Sequence, residues 1–261
     1  GLFEYGLYGT SEMVMDGFMH LRKAGVLKRL VKDLDENIHR YLHGAFFLGS
    51  KELYRWLSEL QGQDFSGLCM TRVSKVNDLY DENELALRRQ RKKARFVNTC
   101  MQVTLLGAAA SETLEDGRVV SGVGGQYNFV AMAQELPDAH SLLLLRSTRT
   151  HKGVRSSNIV WSHGHLTIPR HLRDIVITEY GIANLKGKSD EDVIKALIEI
   201  ADSEFQEDLI SIAQKNGKLP QTYRLPASAA SNTPEKITNF HRQNHTLFPL
   251  YPFGSDFSVT E

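Results

Sequence analysis

From Gly1 to about Leu219, short runs of aliphatic and β-branched residues alternate with amphipathic helical stretches. This alternation constrains the fold more than any other feature of the chain. Parallel strands need a long crossover between them, and a helix supplies it. The pattern therefore predicts an α/β fold with a mainly parallel sheet flanked by helices. Thr10 or Ser11 is expected to cap a helix to about Ala24, with Val14, Phe18 and Leu21 on one face and Gly25 as its stop. Strands are expected at 45–48, 96–106, 118–123, 141–145, 159–161 and 175–178. Ser50 and Ser189 should cap helices, Tyr127–Glu135 should form another, and Ser203 with Gln206 fits a capping box.

The texture changes after Pro220. Five of the seven prolines (Pro220, Pro226, Pro234, Pro249, Pro252) lie in the last 42 residues, together with Phe248, Tyr251, Phe253 and Phe257. Residues 1–218 thus read as one α/β domain, and 219–261 as an extended proline- and aromatic-rich tail that packs on it. The chain opens on Gly1 and runs straight into patterned sequence, which reads as a piece of a longer chain.

Composition narrows the functional classes. Lys+Arg and Asp+Glu both count 31, so net charge is zero and a broad nucleic-acid or membrane-surface binder is not expected. No apolar run approaches the roughly 20 residues of a membrane span. Cys69 and Cys100 stand alone without CxxC spacing, which points to free thiols and a cytoplasmic setting, not to a disulfide scaffold or thiolate zinc site.

Four segments could carry chemistry. Ser121-Gly122-Val123-Gly124-Gly125-Gln126 is read between a strand and a helix. Its glycines can bend sharply and aim backbone N–H groups at a phosphate or an oxyanion, or form only a tight turn. It has neither the GxGxxG spacing of a dinucleotide site nor a P-loop lysine. Glu12, in Gly9-Thr10-Ser11-Glu12-Met13, is placed in the first turn of its helix, where the dipole favours a carboxylate. Between Arg88 and Arg95 six of eight residues are basic, either a solvated surface or a dock for a phosphorylated ligand. His163 and His165 would share a strand face, but no carboxylate or cysteine stands at ligand spacing, so no metal is expected there.

Taken in order, these segments resemble the C-terminal domain of the acetyl-CoA hydrolase/transferase family, the class I CoA-transferases that include acetate and 4-hydroxybutyrate CoA-transferases. The resemblance runs over residues 1–215. It is carried by Gly9–Met13 with Asp16-Gly17, Val76-Asn77, Ser121–Gln126, Ser147-Thr148 before Lys152-Gly153, and Thr178-Glu179-Tyr180-Gly181-Ile182-Ala183-Asn184-Leu185-Lys186-Gly187. It implies a CoA-transferase domain of the NagB/RpiA-like kind and coenzyme A, as acyl-CoA, for substrate, without a metal. It implies that Glu12 is a nucleophile passing through a glutamyl-CoA thioester. Asn77 would help hold the reacting carbonyl or the glutamate. Gly125, with Gly124 beside it, would supply an oxyanion donor, and Lys152 would contact CoA. A small carboxylate, a preceding domain of the same chain and a second copy in a homodimer are the partners it implies. Many members have Asp where this chain has Asn128, and the segment between Asn77 and the glycine loop is longer here. Transferase and hydrolase share the same intermediate and both stand. The alternative is a catalytically silent CoA-binding or regulatory domain.

Overall fold

A computed structural model describes residues 5–246, so Phe248, Tyr251, Phe253 and Phe257 lie outside the described residues. The chain divides into two compact units, one holding the described residues up to Lys92 and the other beginning at Lys93. Both are α/β with parallel sheet, as the alternation predicts.

The first unit contains β1 (Gly9–Val14), α1 (Asp16–Lys23), β2 (Val31–Lys32), β3 (His39–Arg40), β4 (Leu42–Phe47), α2 (Lys51–Glu59), α3 (Gly62–Ser66), β5 (Leu68–Met70), α4 (Val73–Asn77) and α5 (Glu84–Gln90). Strands β1, β4 and β5 form a parallel sheet, with Thr10 opposite His43 and His43 opposite Cys69. β2 and β3 form a separate antiparallel arm. Val14, Leu27, Tyr41 and Leu42 are the core.

The residues expected to start the first helix are strand here, and α1 begins only at Asp16. Propensity allows either state. Pairing with β4, more than thirty residues away, decides it, and Val14 is buried as a strand residue. Gly25 still ends the helix, at φ +68°. Asp16 is buried and accepts from the backbone N–H of Ser50 at 3.1 Å and from its hydroxyl. Ser50 in turn caps α2 by accepting from the N–H of Leu53. A Cβ on Gly49 would stand 2.4 Å from Asp16 Oδ2, so only glycine fits this junction.

The second unit contains β6 (Arg95–Thr99), β7 (Gln102–Thr104), β8 (Ala109–Ala110), α6 (Gln126–Glu135), β9 (His140–Leu144), β10 (Thr148–His151), β11 (Val154–Ser157), β12 (Ile159–Val160), a 3-10 turn (Arg170–Leu172), β13 (Ile175–Thr178), β14 (Gly181–Asn184), α7 (Asp190–Glu199), α8 (Ser203–Lys215) and α9 (Pro234–Gln243). β6, β9 and β13 are parallel, and β14 closes the sheet as an antiparallel hairpin. α6 packs on β6 and β9, bringing the Phe129 and Phe96 rings to 5.6 Å. α7 packs on β14 and α8, burying Val193, Ile194, Leu197 and Ile198 completely.

Three local expectations change. The run 96–106 breaks at Cys100-Met101 into β6 and β7, which belong to different sheets. Residues 118–123 are loop apart from a bridge between Thr113 and Val119. The cap of α8 is Asp202, accepting from the Glu204 N–H, while Gln206 Nε2 donates to the carbonyls of Ile198, Ala201 and Ala229. Within the segment read as extended, α9 forms, because Pro234 occupies the first helical turn, where its missing N–H is no loss.

Candidate active site

In the first unit, strand alternation puts Thr10 and Glu12 on one face of the sheet, Thr10 is in register with His43 and His43 with Cys69, and Tyr8 just before β1 reaches His43. Glu12 is half-buried on β1, not at a helix start. α4 packs against β1 and β4, and Thr10 Oγ1 donates to the Val76 carbonyl at 3.2 Å. The bond fixes the Val76-Asn77 segment to the strand that carries Glu12. Asn77 itself is buried.

Buried cations hold α4 in place. Lys75 Nζ reaches Asp35 at 3.0 Å and Asp81 at 3.7 Å. Arg91, only 3% exposed, donates to the carbonyls of Asp78 at 2.7 Å and Lys75 at 2.5 Å. The basic run is therefore not one solvated face. Arg88 pairs with Glu84, Arg89 is exposed, and Arg91 points inward to grip the segment bearing Asn77.

A further polar cluster lies on the same unit. Tyr8 Oη stands 2.8 Å from His43 Nδ1, and His43 Nε2 stands 3.1 Å from Asp33 Oδ2. Burial pushes the Tyr8 phenol up to about 12 and lowers the His43 imidazole. Burial alone would raise Asp33, but the N–H groups of Asp35 and Glu36 and the His43 ring pull it down to about 2. Burial and the Asp33 charge push the Cys69 thiol up to about 11. Sequence reasoning missed Asp33 and His43, because no local pattern joins residues on separate strands.

In the second unit, Gly125 caps α6 with φ −76° and ψ 3°, and its carbonyl accepts from the Phe129 N–H. Gly124 is exposed and Gly125 buried. Gln126 Nε2 donates to the Thr99 carbonyl at 2.9 Å, which ties the glycine loop to the carboxyl end of β6. Ligands of open α/β sheets bind at those ends. Lys152 and Gly153, both with positive φ, make the two-residue turn joining β10 to β11.

An open cleft of about 1760 Å³ lies beyond the same strand ends, lined by Cys100 after β6, Arg146 after β9 and Glu179 after β13. Arg118, Arg149 and Lys152 add positive charge to it. Neither Gly124 nor Gly125 is among its lining residues. Glu179 accepts from the Ser147 N–H at 2.8 Å and from its hydroxyl at 2.7 Å. His163 accepts from the His165 N–H, and among the described residues neither histidine belongs to a three-ligand group.

The acetyl-CoA hydrolase/transferase C-terminal domain family matches residues 49–213. The chain belongs to this family. Asn77, the glycine loop and Lys152 fall inside the family match, and Glu12 precedes it. The chain is 32% identical over 212 residues to the probable butyrate:acetyl-CoA coenzyme A-transferase of Syntrophomonas wolfei, covering 78% of this chain and 43% of that protein. It is 32% identical over 206 residues to the 4-hydroxybutyrate coenzyme A transferase of Clostridium kluyveri, covering 78% and 44%. Among solved structures, RipA from Yersinia pestis superimposes with a TM-score of 0.67 at 29% identity, over 83% of this chain and 46% of that one. The 4-hydroxybutyrate CoA-transferase of Porphyromonas gingivalis shares the fold, with a TM-score of 0.59 at 24% identity over 81% and 46%. This family member therefore spans less than half the length of the curated relatives it matches. Among the described residues no helix is long and apolar enough to cross a membrane.

Proposed function

We propose that the chain forms the CoA-transferase half-site of an acyl-CoA:carboxylate CoA-transferase, with Glu12 as nucleophile. The observation that carries this reading is the pairing of a half-buried Glu12 on β1 with an Asn77 segment bound to that same strand through Thr10. The Glu12 carboxylate attacks the thioester carbonyl and the C–S bond breaks, giving a mixed anhydride and CoA thiolate. The thiolate then attacks the glutamyl carbonyl, releasing the first carboxylate and leaving a Glu12–CoA thioester. An acceptor carboxylate reverses both steps and departs as the new acyl-CoA. Each addition passes through an oxyanion, for which the Asn77 amide and the Gly125 N–H are the proposed donors. Gly124 and Lys152 are the proposed contacts for CoA. Transfer is preferred to hydrolysis because the relatives that the chain matches are named as CoA-transferases.

The catalytic part is taken as residues 1–218 and the tail as 219–261. Leu219 in the core, and Asn232 Nδ2 donating to the carbonyls of Glu199 and Ala201, support packing of the tail. The remainder of the natural chain and a second copy are the proposed partners, in the cytoplasm.

The test is mass spectrometry of the protein at its natural length after incubation with acyl-CoA. A CoA adduct on Glu12, with inactivation by borohydride, is expected. Full activity in Glu12→Ala would overturn the nucleophile. CoA binding without any adduct would instead select a silent CoA-binding domain.

A further inference from the structure

We propose that Asp33, His43 and Cys69 form a site for one thiophilic divalent cation of the zinc class. The three residues come from three places in the first unit: the loop after β2, strand β4 and strand β5. One carboxylate oxygen, one imidazole nitrogen and the sulfur all lie within 4.8 Å of one another. A tetrahedral zinc ion, with bonds of about 2.0–2.3 Å, needs its ligand atoms roughly 3.3–3.6 Å apart. The Asp33–His43 edge already measures 3.1 Å. His43 and Cys69 are register partners on adjacent parallel strands, so the sheet itself sets both on one face. Closing the sulfur onto the other two takes a movement on the order of 1 Å, within the reach of a side-chain rotation.

The donor set also has the right chemistry. A carboxylate, a thiolate and a neutral imidazole carry two negative charges, matching a divalent ion. Mixed sulfur, nitrogen and oxygen ligation selects zinc over magnesium or calcium. Outer partners that orient ligands are already present. Tyr8 Oη holds His43 Nδ1 at 2.8 Å, and the N–H of Asp35 holds Asp33 Oδ1 at 2.9 Å. Arg40 and Arg91 are competing cations near the site, and Arg91 is engaged by the Lys75 and Asp78 carbonyls. Arg40 reaches Asp33 Oδ2 only at 3.4 Å and is engaged by Glu36 and the Ser66 carbonyl. Cys69 is half-buried, and three protein ligands leave a fourth position for water. On binding, the thiol loses its proton to solvent. His43 moves its proton to Nδ1, donates it to Tyr8 Oη, and turns the Nε2 lone pair to the metal. An occupied site clips the β2–β3 arm to the parallel sheet. The inference is independent of the Glu12 chemistry.

The experiment is a titration of the 261-residue chain with Co²⁺, followed by displacement with Zn²⁺. One equivalent of Co²⁺ should produce a thiolate-to-cobalt charge-transfer band in the near ultraviolet, which Zn²⁺ removes, since d¹⁰ zinc loses no ligand-field energy in a tetrahedral site. Cys69→Ser should abolish the band and Cys100→Ser should keep it. Tyr8→Phe should weaken Zn²⁺ binding by about 10–100-fold. The melting temperature should rise with Zn²⁺ concentration in wild type and not in Cys69→Ser. No band at one equivalent, or a band that survives in Cys69→Ser, refutes the site. If Cys69→Ser does not fold, X-ray absorption of the zinc-loaded wild type decides. One sulfur at about 2.3 Å with nitrogen or oxygen at about 2.0 Å is expected, and a shell without sulfur overturns the proposal.

Discussion

Arg91→Met should destabilise the first unit by about 2–4 kcal/mol, although a count of surface charges would predict almost nothing. Methionine keeps the stem's packing and removes the two donors. Each hydrogen bond from a charged donor contributes roughly 1.5–3 kcal/mol, and the orphaned Lys75 and Asp78 carbonyls are left in a dry environment. Relief of the guanidinium's own desolvation, several kcal/mol for a buried ion, offsets part of that loss. Arg91→Lys keeps the charge but cannot span both carbonyls, so about 1–2 kcal/mol is expected. The chain has two tryptophans, Trp56 in the first unit and Trp161 in the second. Urea unfolding followed through Trp56 in a Trp161→Phe background therefore reports the affected unit. With a slope of about 1–3 kcal/mol per molar urea, the midpoint should fall by roughly 1–2 M. The exposed neighbour Arg89→Met is the control and should stay within ~0.3 M, as surface changes usually do. Equal midpoints for Arg91→Met and Arg89→Met would falsify the clamp. If the clamp serves Asn77, transferase activity should also fall in Arg91→Met at temperatures where the protein is still folded.

Three other outcomes follow from the second unit. Asp174 is buried and accepts from the Ser141 N–H at 2.8 Å and from His140 Nδ1 at 3.0 Å; Asp174→Ala should cost about 3 kcal/mol and Asp174→Asn about 1, read as urea midpoints through Trp161. Burial pushes the Cys100 thiol up to about 12 from 9.0. Its reactive thiolate is therefore about a thousandfold scarcer at pH 8 than in an ordinary cysteine. Iodoacetamide labelling should accelerate about tenfold per pH unit above 8, and a rate matching free cysteine rules the environment out. Lys152→Asn suits the left-handed turn at φ +49°, so thermal stability should hold while CoA affinity drops about 5–10-fold by calorimetry; unchanged affinity removes Lys152 from the CoA contacts.

What was legible in the sequence was local. Strand Ile175–Thr178 is found where its β-branched run predicts, and Ser50 and Ser189 each accept a hydrogen bond from the third residue of their helix. Gly25 stops its helix as expected. A cap or a stop needs only neighbours within a turn, so the sequence window contains its cause. Several misplaced elements answer to distant partners. Thr10–Met13 becomes strand because β4 offers a ladder, and Arg91 is drawn inside by carbonyls thirteen and sixteen residues earlier. Gln206 looks like the second half of a capping box, yet its amide serves Ala229, 23 residues on. The Asp33–His43–Cys69 cluster is the extreme case, spread over three separate segments of one unit.

The longest string of the resemblance, Thr178 to Gly187, has a mechanical task within the second unit. Thr178 Oγ1 donates to the Ile200 carbonyl at 2.7 Å, tying the end of β13 to the end of α7. Glu179 grips Ser147 twice, and Tyr180 donates to Asp202 at 2.6 Å, the residue that caps α8. A Cβ on Gly181 would meet Ile200 Cγ2 at 3.1 Å. Ala183 and Leu185 are core, Asn184 Oδ1 accepts from the Lys186 N–H, and Gly187 turns the chain at φ +73°. Most positions of the string thus have a mechanical task within the second unit, and they are interlocked, so a change at one leaves a buried group at another unpartnered. By contrast, Glu12 is a half-buried residue within β1, and glutamine matches it in size and shape. The string lies inside the matched region, while the proposed nucleophile precedes it. Glu12→Gln should leave the unfolding free energy within ~0.5 kcal/mol of wild type and abolish the CoA adduct, whereas Glu179→Ala should do the reverse: lower the stability and keep adduct formation in the folded fraction. A Glu12→Gln protein that unfolds as readily as Glu179→Ala would return Glu12 to the framework.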